Sequence, residues 1–337
     1  MICPRTLRAA AERSPGVPVL PGWLVAGLLG LAAVSCAATD GAAGDQATIA
    51  RLASRALLLD AAQAGGRIVA VGERGHILIS TDNAVTWRQA PVPLRSTLTG
   101  VASADAGSLL AVGHGGALLR SSDSGESWER VEADVTREDG FLDVLFVDPQ
   151  TAFAVGAYGL FIETRDSGTT WKRRTIAEEG FHFNRIARDT SGALYIAGEA
   201  GTMLRSLDSG GTWDPIPTPY EGSFFGFLDL ADEVQLVFGL RGHVFRSETQ
   251  GDDWEQIELP VPTLVMSGAI LADGRIVLAG QSGNFLVSAD SARTFEIWKW
   301  GATTGVAEIL SLPDGALLVL GEAGAVRIQP PQASHTP

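Results

Sequence analysis

One pattern fixes most of what this chain can become. Gly-x-x-Gly recurs seven times, at Gly72/Gly75, Gly113/Gly116, Gly156/Gly159, Gly198/Gly201, Gly239/Gly242, Gly280/Gly283 and Gly321/Gly324, in steps of 41 to 43 residues. A period of that size marks units that are each too small to bury a core alone and are stable only against their neighbours. Twelve residues after each second Gly stands an aromatic: Trp87, Trp128, Trp171, Trp213, Trp254 and Phe295, while the seventh register falls on Thr336. Between the two lies Ser/Thr-x-Asp-x-Gly-x-Ser/Thr-Trp, clearest over residues 121–128, 164–171 and 206–213. A short carboxylate in such a turn accepts backbone N–H groups, and the Gly supplies a left-handed backbone. Asp82, Asp123, Asp166, Asp208 and Asp290 occupy the carboxylate position; Ala84 and Ala292 replace the Gly in two copies and Thr249 replaces the Asp in another. Repetition in unit after unit assigns these carboxylates to the scaffold rather than to metal binding or catalysis.

Each unit also holds four apolar runs of strand length, in the second at 98–103, 108–112, 117–121 and 127–131. Four strands per 42 residues, seven times over, predicts an all-β, seven-bladed propeller spanning 47–329. The abundance of Gly (40) and Pro (16) agrees, since short strands need many turns. The seventh unit runs out before a fourth strand, so residues 47–53 are expected to donate one and close the ring. Residues 330–337 read as a tail.

The turns resemble the Asp-box, or BNR, repeats named from bacterial neuraminidases. The Ala-Val-Gly-x-x-Gly-x-Ile/Leu units resemble the photosystem II assembly and stability factor family of seven-bladed propellers and its non-photosynthetic bacterial relatives, over nearly the whole chain after residue 47. The resemblance implies a propeller that engages a membrane-protein client without catalysis; in the photosynthetic members a basic patch is thought to do so. Arg74, Arg95, Arg185, Arg188 and Arg241 are candidates for a smaller version of that patch.

Residues 1–35 read as an export signal: Arg5, Arg8 and Arg13 precede a stretch from Val17 to Val34 with no charge. The sequence Leu31-Ala32-Ala33-Val34-Ser35-Cys36 resembles a lipoprotein signal, with Cys36 the lipid attachment point and 36–46 a tether. An ordinary cut near residues 36–38 and an uncleaved anchor are the alternatives. Cys3 and Cys36 are the only cysteines, so a folded part beginning at 47 has no disulfide. The expected location is the periplasmic face of the envelope, and the outer membrane where a cell has two.

The chain carries 25 basic and 39 acidic residues, a formal charge of -14, which argues against nucleic acid as a partner. An enzyme of the sialidase type needs a Tyr nucleophile, an acid/base Asp and an Arg cluster, by resemblance with an Arg-Ile-Pro motif; that motif is absent and Tyr158, Tyr195 and Tyr220 are the only tyrosines. His76 and His243 occupy a repeat position where other units carry Ala, Leu, Thr or Asn, which is not ligand spacing. No cofactor or metal is implied.

Where the repeat fixes the scaffold, its free positions carry specificity. Within the Gly-x-x-Gly turns these include Glu73, Arg74, His114, Tyr158, Glu199, Arg241, Gln281 and Glu322. Together with Phe141, Phe181, Phe183, Tyr220, Phe224, Phe225, Trp298 and Trp300 in the connections between units, they predict a partner-binding face. The reading is a monomeric platform or assembly factor for a membrane or envelope complex, an export transporter being one such client. The alternatives are a glycan-binding or glycan-cleaving Asp-box propeller and, in a photosynthetic cell, photosystem II assembly itself.

Overall fold

Each Gly-rich turn reverses the chain between two apolar strands and each Asp turn reverses it again, so every repeat becomes an antiparallel meander. The computed structural model describes residues 45–331; the expected export signal and Cys36, and His335 and Thr336, lie outside the described residues. Six repeats form four-stranded sheets with the strands in chain order. Blade one comprises Leu58–Ala64, Arg67–Gly72, Ile77–Ser80 and Arg88–Gln89; blade two comprises Leu98–Ser103, Leu109–Gly113, Ala117–Ser121 and Glu129–Arg130. Blades three to six begin at Phe141–Phe146, Phe183–Arg188, Phe224–Asp229 and Val265–Ile270. Blade seven has three strands among the described residues, Val306–Ser311, Leu317–Gly321 and Gly324–Ile328.

The second strands, such as Leu109–Gly113 and Ala152–Gly156, are buried at every position except Arg67, which opens that of blade one, and this is why they read as unbroken apolar runs rather than alternations. The core lies between blades, in seven clusters each drawn from two neighbours. The repeat aromatic is the wedge at these junctions. Trp128 of blade two packs with Val69 and Ile79 of blade one, and Trp213 of blade four meets Phe153 and Phe161 of blade three edge-on at 6.3 and 5.7 Å. Leu318 and Leu320 of blade seven share a cluster with Leu58, Ala70 and Leu78 of blade one, so the ring is closed face to face.

The Asp turns are built as the spacing predicts. Asp123 accepts the Ser127 N–H at 2.9 Å and its hydroxyl at 2.6 Å, while the Ser121 hydroxyl oxygen accepts the Gly125 N–H at 3.0 Å. The same bonds recur at Asp82, Asp166, Asp208 and Asp290. The residue at the Gly position is left-handed even where it is not Gly: Ala84 has φ 66° and Ala292 φ 62°.

Residues 47–53 do not supply a fourth strand to blade seven, contrary to the expectation. They are held on the outer edge of blade one: the Ala47 N–H donates to the Val92 carbonyl at 3.0 Å, the Ala50 N–H to Gln89 Oε1 at 2.8 Å, and Gln89 Nε2 to the Thr48 carbonyl at 3.0 Å. The chain then makes a 3-10 turn, Ala53–Arg55, against the third strand of blade seven. In blade one the second turn glycine, Gly75, passes beneath the linker to the next blade, with no room for a Cβ, which would lie 2.3 Å from the Leu94 carbonyl oxygen. At blade seven the 3-10 turn takes the linker's place, and a Cβ on Gly324 would lie 2.1 Å from the Ser54 carbonyl oxygen. The N-terminal segment therefore closes the ring as a linker and not as a strand.

Candidate functional site

Two regions gather polar and aromatic groups: the face formed by the Gly-x-x-Gly turns, and the channel between the first strands. In the turns the first variable residue is partly committed to the fold. Glu73, Glu199 and Glu322 accept the N–H of Leu57, His182 and Gly305 at 3.4, 3.4 and 3.0 Å, each pinning the start of its blade's first strand. The second variable residue points to solvent. Arg74, Tyr158 and Arg241 are exposed with φ of 56°, 55° and 60°, a region L-residues occupy at some cost.

The eight turn positions lie one or two to a blade around the ring, so no single small ligand touches them all. Three of them, Tyr158, Glu199 and Arg241, gather with aromatic neighbours in one arc, blades three to five. Tyr158 is 77% exposed and sits edge-on to His182 at 4.8 Å; His182 Nδ1 lies 3.8 Å from Glu199 Oε2. Phe181, 40% exposed, is fixed by the Gly159 N–H donating to its carbonyl at 2.9 Å. Further along the arc Tyr220 stacks on His243 at 4.3 Å and donates its hydroxyl to the Leu240 carbonyl at 3.2 Å. Tyr220, Glu221, Leu240 and Arg241 line an open depression of about 790 Å3. Exposed aromatics beside Arg and Glu are the makings of a protein-binding surface.

The channel is lined differently. Every first strand carries a bulge just before its third residue, and the third residues are Asp60, Gly100, Asp143, Arg185, Gly226, Ser267 and Glu308. Arg185 of blade four lies 3.5 Å from Asp143 Oδ2 of blade three and 3.2 Å from Glu308 Oε2 of blade seven. The carboxylates also staple blades: Asp60 accepts the Val101 N–H at 2.7 Å, Asp143 the Ile186 N–H at 2.9 Å, and Glu308 the Ser267 hydroxyl at 2.6 Å. Burial pushes Asp60 well above the usual carboxylate range, with Glu308 adding to it, and burial likewise raises Asp143 and Glu308 against the pull of Arg185. Asp143 is in turn the main reason that the Arg185 guanidinium is held still more firmly in its charged form.

The sequence model of the family described as photosystem II assembly factor YCF48 matches residues 126–257, the stretch from the end of blade two through blade five. The chain resembles the YCF48 family. No curated protein matches it significantly. Among solved structures, "YCF48 bound to D1 peptide" superposes with a TM-score of 0.69 at 18% identity, covering 82% of this chain and 93% of that one. YCF48 from Cyanidioschyzon merolae gives 0.67 at 18%, covering 85% and 98%. A streptogramin B lyase gives 0.73 at 10%, covering 85% and 96%. At these identities the likenesses establish the fold, which hosts binders and enzymes alike.

The YCF48-like stretch contains the whole aromatic arc. Several sequence candidates fall outside it or change role. Phe141, Phe183 and Phe224 are fully buried at the starts of their strands and belong to the core. The five candidate arginines form no single patch: Arg185 lies in the channel, and Arg188 is at the far end of the same strand, donating to the Val147 carbonyl at 2.8 Å. Tyr195 is buried, with its hydroxyl between Asp189 and Gln235 and its pKa raised by burial to about 12. Asp60, Asp143 and Glu308 were not singled out from sequence. Each stands 12 or 13 residues before the first turn glycine, but that register holds Asp, Gly, Arg, Ser or Glu in different units and does not read as a motif.

Proposed function

We propose that this protein is an exported, non-catalytic platform that holds an extended segment of a membrane or envelope protein on the arc of blades three to five while that partner's complex is assembled or stabilised. The observation that carries this reading is the arc itself: Tyr158, Phe181, Leu240 and Arg241 stand exposed on the blades that the YCF48 family model matches. Tyr158 and Arg241 share their left-handed backbone with Arg74, Ala200 and Ser282 at the same place in other turns, so the repeated turn itself carries these side chains outward. A relative bound to a peptide makes a peptide the ligand class of choice, and Arg241 gives such a segment a bidentate anchor for a carboxylate. The non-catalytic reading is supported by the channel, where the carboxylates are engaged by Arg185 and by backbone N–H groups of adjoining strands. Delivery to the periplasmic face and a lipid on Cys36 follow from the N-terminal sequence, and an export transporter is a client of the kind the resemblance suggests.

The test is photo-crosslinking in intact cells from Tyr158 or Arg241, against Leu207, which is exposed in an Asp turn at the opposite end of the strands. The expected result is a membrane-complex subunit trapped from the first two positions and not from Leu207. Equal labelling from both faces, or no protein adduct at all, overturns the reading.

A further inference from the structure

Six blades show what lies outside a third strand, and in the seventh nothing among the described residues takes that place. In blades one to four a backbone N–H of the outer segment donates to the third strand: Ala90 to Ile77, Val131 to Leu118, Arg174 to Phe161 and Ile216 to Met203, all at 2.9 to 3.0 Å. The corresponding residue of blade seven is Ala325, because Leu320 pairs with Ala325 as Val112 pairs with Leu118. By the alternation of an antiparallel ladder, Ala325 and Arg327 turn their N–H and C=O outward, while Gly324, Val326 and Ile328 face the inner strand. Among the described residues no backbone group pairs with that outer side. Burial agrees. The residues in the places of Ala325 and Val326 are buried in all six other blades, from Ile77 and Leu78 to Phe285 and Leu286, whereas Ala325 and Val326 are only half-buried.

The junction between blades six and seven is also short of a ring. Every other junction receives the aromatic that opens a fourth strand: Trp87, Trp128, Trp171, Trp213, Trp254 or Phe295. Here Trp298 and Trp300 of blade six lean on Phe285 of their own blade, at 4.9 and 5.7 Å. Beside them a cavity of about 480 Å3 is lined by the apolar side chains of Val287, Ile297, Trp298 and Pro331 and by polar ones that include Arg275 and Glu296. Val287 occupies the place at which Ile79 meets Trp128. Arg275 already holds the Pro331 carbonyl at 2.7 Å.

We propose that blade seven accepts its fourth strand in trans: an extended segment of a partner protein that pairs with Ala325 and Arg327 and seats an aromatic ring in the cavity beside Val287 and Trp298. The chemistry of the occupant is written six times in this chain, as a Trp or Phe that leads into a short extended segment. Edge-strand addition of this kind draws affinity from main-chain hydrogen bonds and specificity from the pocketed side chain.

The probe is the chain's own fourth-strand peptide, residues 125–133 (Gly-Glu-Ser-Trp-Glu-Arg-Val-Glu-Ala), added to the full-length protein and read by amide hydrogen exchange. Binding should slow exchange at Ala325 and Arg327 about tenfold or more, a local protection that leaves the other blades unchanged. The same peptide with Trp128→Ala should protect far less, and Ala325→Pro, which removes an outward N–H and no inner one, should lose peptide protection while keeping the thermal midpoint. If that variant fails to fold, the Trp128→Ala peptide still decides. No protection by saturating peptide overturns the proposal. So do Ala325 and Arg327 amides already protected in the full chain and released by deleting 332–337 or 1–44, which would make the occupant a segment of this chain. Protection that grows with protein concentration and without peptide would make it a second copy, and overturns it as well.

Discussion

Blade three carries two aspartates in opposite circumstances. Asp166 lies in the exposed turn before Trp171, where the Thr170 hydroxyl at 2.6 Å and N–H at 2.8 Å hold its carboxyl below the usual range. Asp143 also accepts two backbone N–H bonds, from Val144 and Ile186, and has Arg185 beside it, yet burial in the channel wall lifts it above that range. Hydrogen bonding alone does not set the sign: where water still solvates the carboxylate the donors win, and where it does not, loss of solvation outweighs donors and cation together. The turn aspartates therefore contribute stability that is complete above about pH 4 and is lost as pH falls through their lowered native values; for Asp82 and Asp208 those values are about 2. The channel carboxylates act the other way. Their native affinity for protons exceeds the unfolded one, so their contribution is complete at low pH and declines as pH climbs through the raised values.

The sharpest way to break this contrast is Arg185→Leu. Removing the one cation from three channel carboxylates should destabilise the protein by about 3 kcal/mol at pH 7, the lower part of the range for breaking buried ion pairs, since the Arg185 side chain keeps 35% of its surface in water. The loss should shrink as pH is lowered and the channel acids take up protons; a loss that stays the same across the acid range, measured by chemical denaturation, would break the argument. Asp166→Ala should cost less, about 1–2 kcal/mol at pH 7 for the hydrogen bonds removed. Its deficit should fade towards pH 2, and the same denaturation series checks both. The smallest effect is expected at a worn turn. Ala292→Gly relieves a left-handed backbone but deletes a buried methyl group, so a net gain of only about 0.5 kcal/mol should appear as a slightly higher thermal midpoint.

The blades were legible because their marks are local. A glycine that must pass under a linker and an aromatic that must wedge a junction tolerate few substitutes, and they recur in register. The channel was not legible, because the third residue of each first strand has only to fit the middle of a ring. Gly100 and Gly226 serve as well there as Asp60 or Arg185, and the charges become a cluster only when blades three, four and seven meet. The arc of blades three to five was half legible: Tyr158 and Arg241 stood out as free positions in a fixed turn, whereas the approach of His182 and His243 depends on how the linkers lie. The closure failed for a further reason. The seventh Gly-x-x-Gly matches the others in sequence, yet Gly321 pairs with Gly324 itself, where Gly113 pairs with Ala117 one residue beyond its second glycine. An identical motif thus makes a tighter turn, and residues 47–53, already tied to Gln89, arrive as a linker.

That manner of closure sets an order of events in time. The last joint of the circle brings Ser54 against Gly324, and near it Gln63 Nε2 bonds the Ser311 carbonyl, 248 positions away. A chain that emerges amino-end first into the compartment where it folds holds its opening turn ready from the start, and that turn waits, unmated, for the final repeat to arrive. Until then the growing arc is open at both ends, and the apolar faces that blades seven and one bury against each other stand in water.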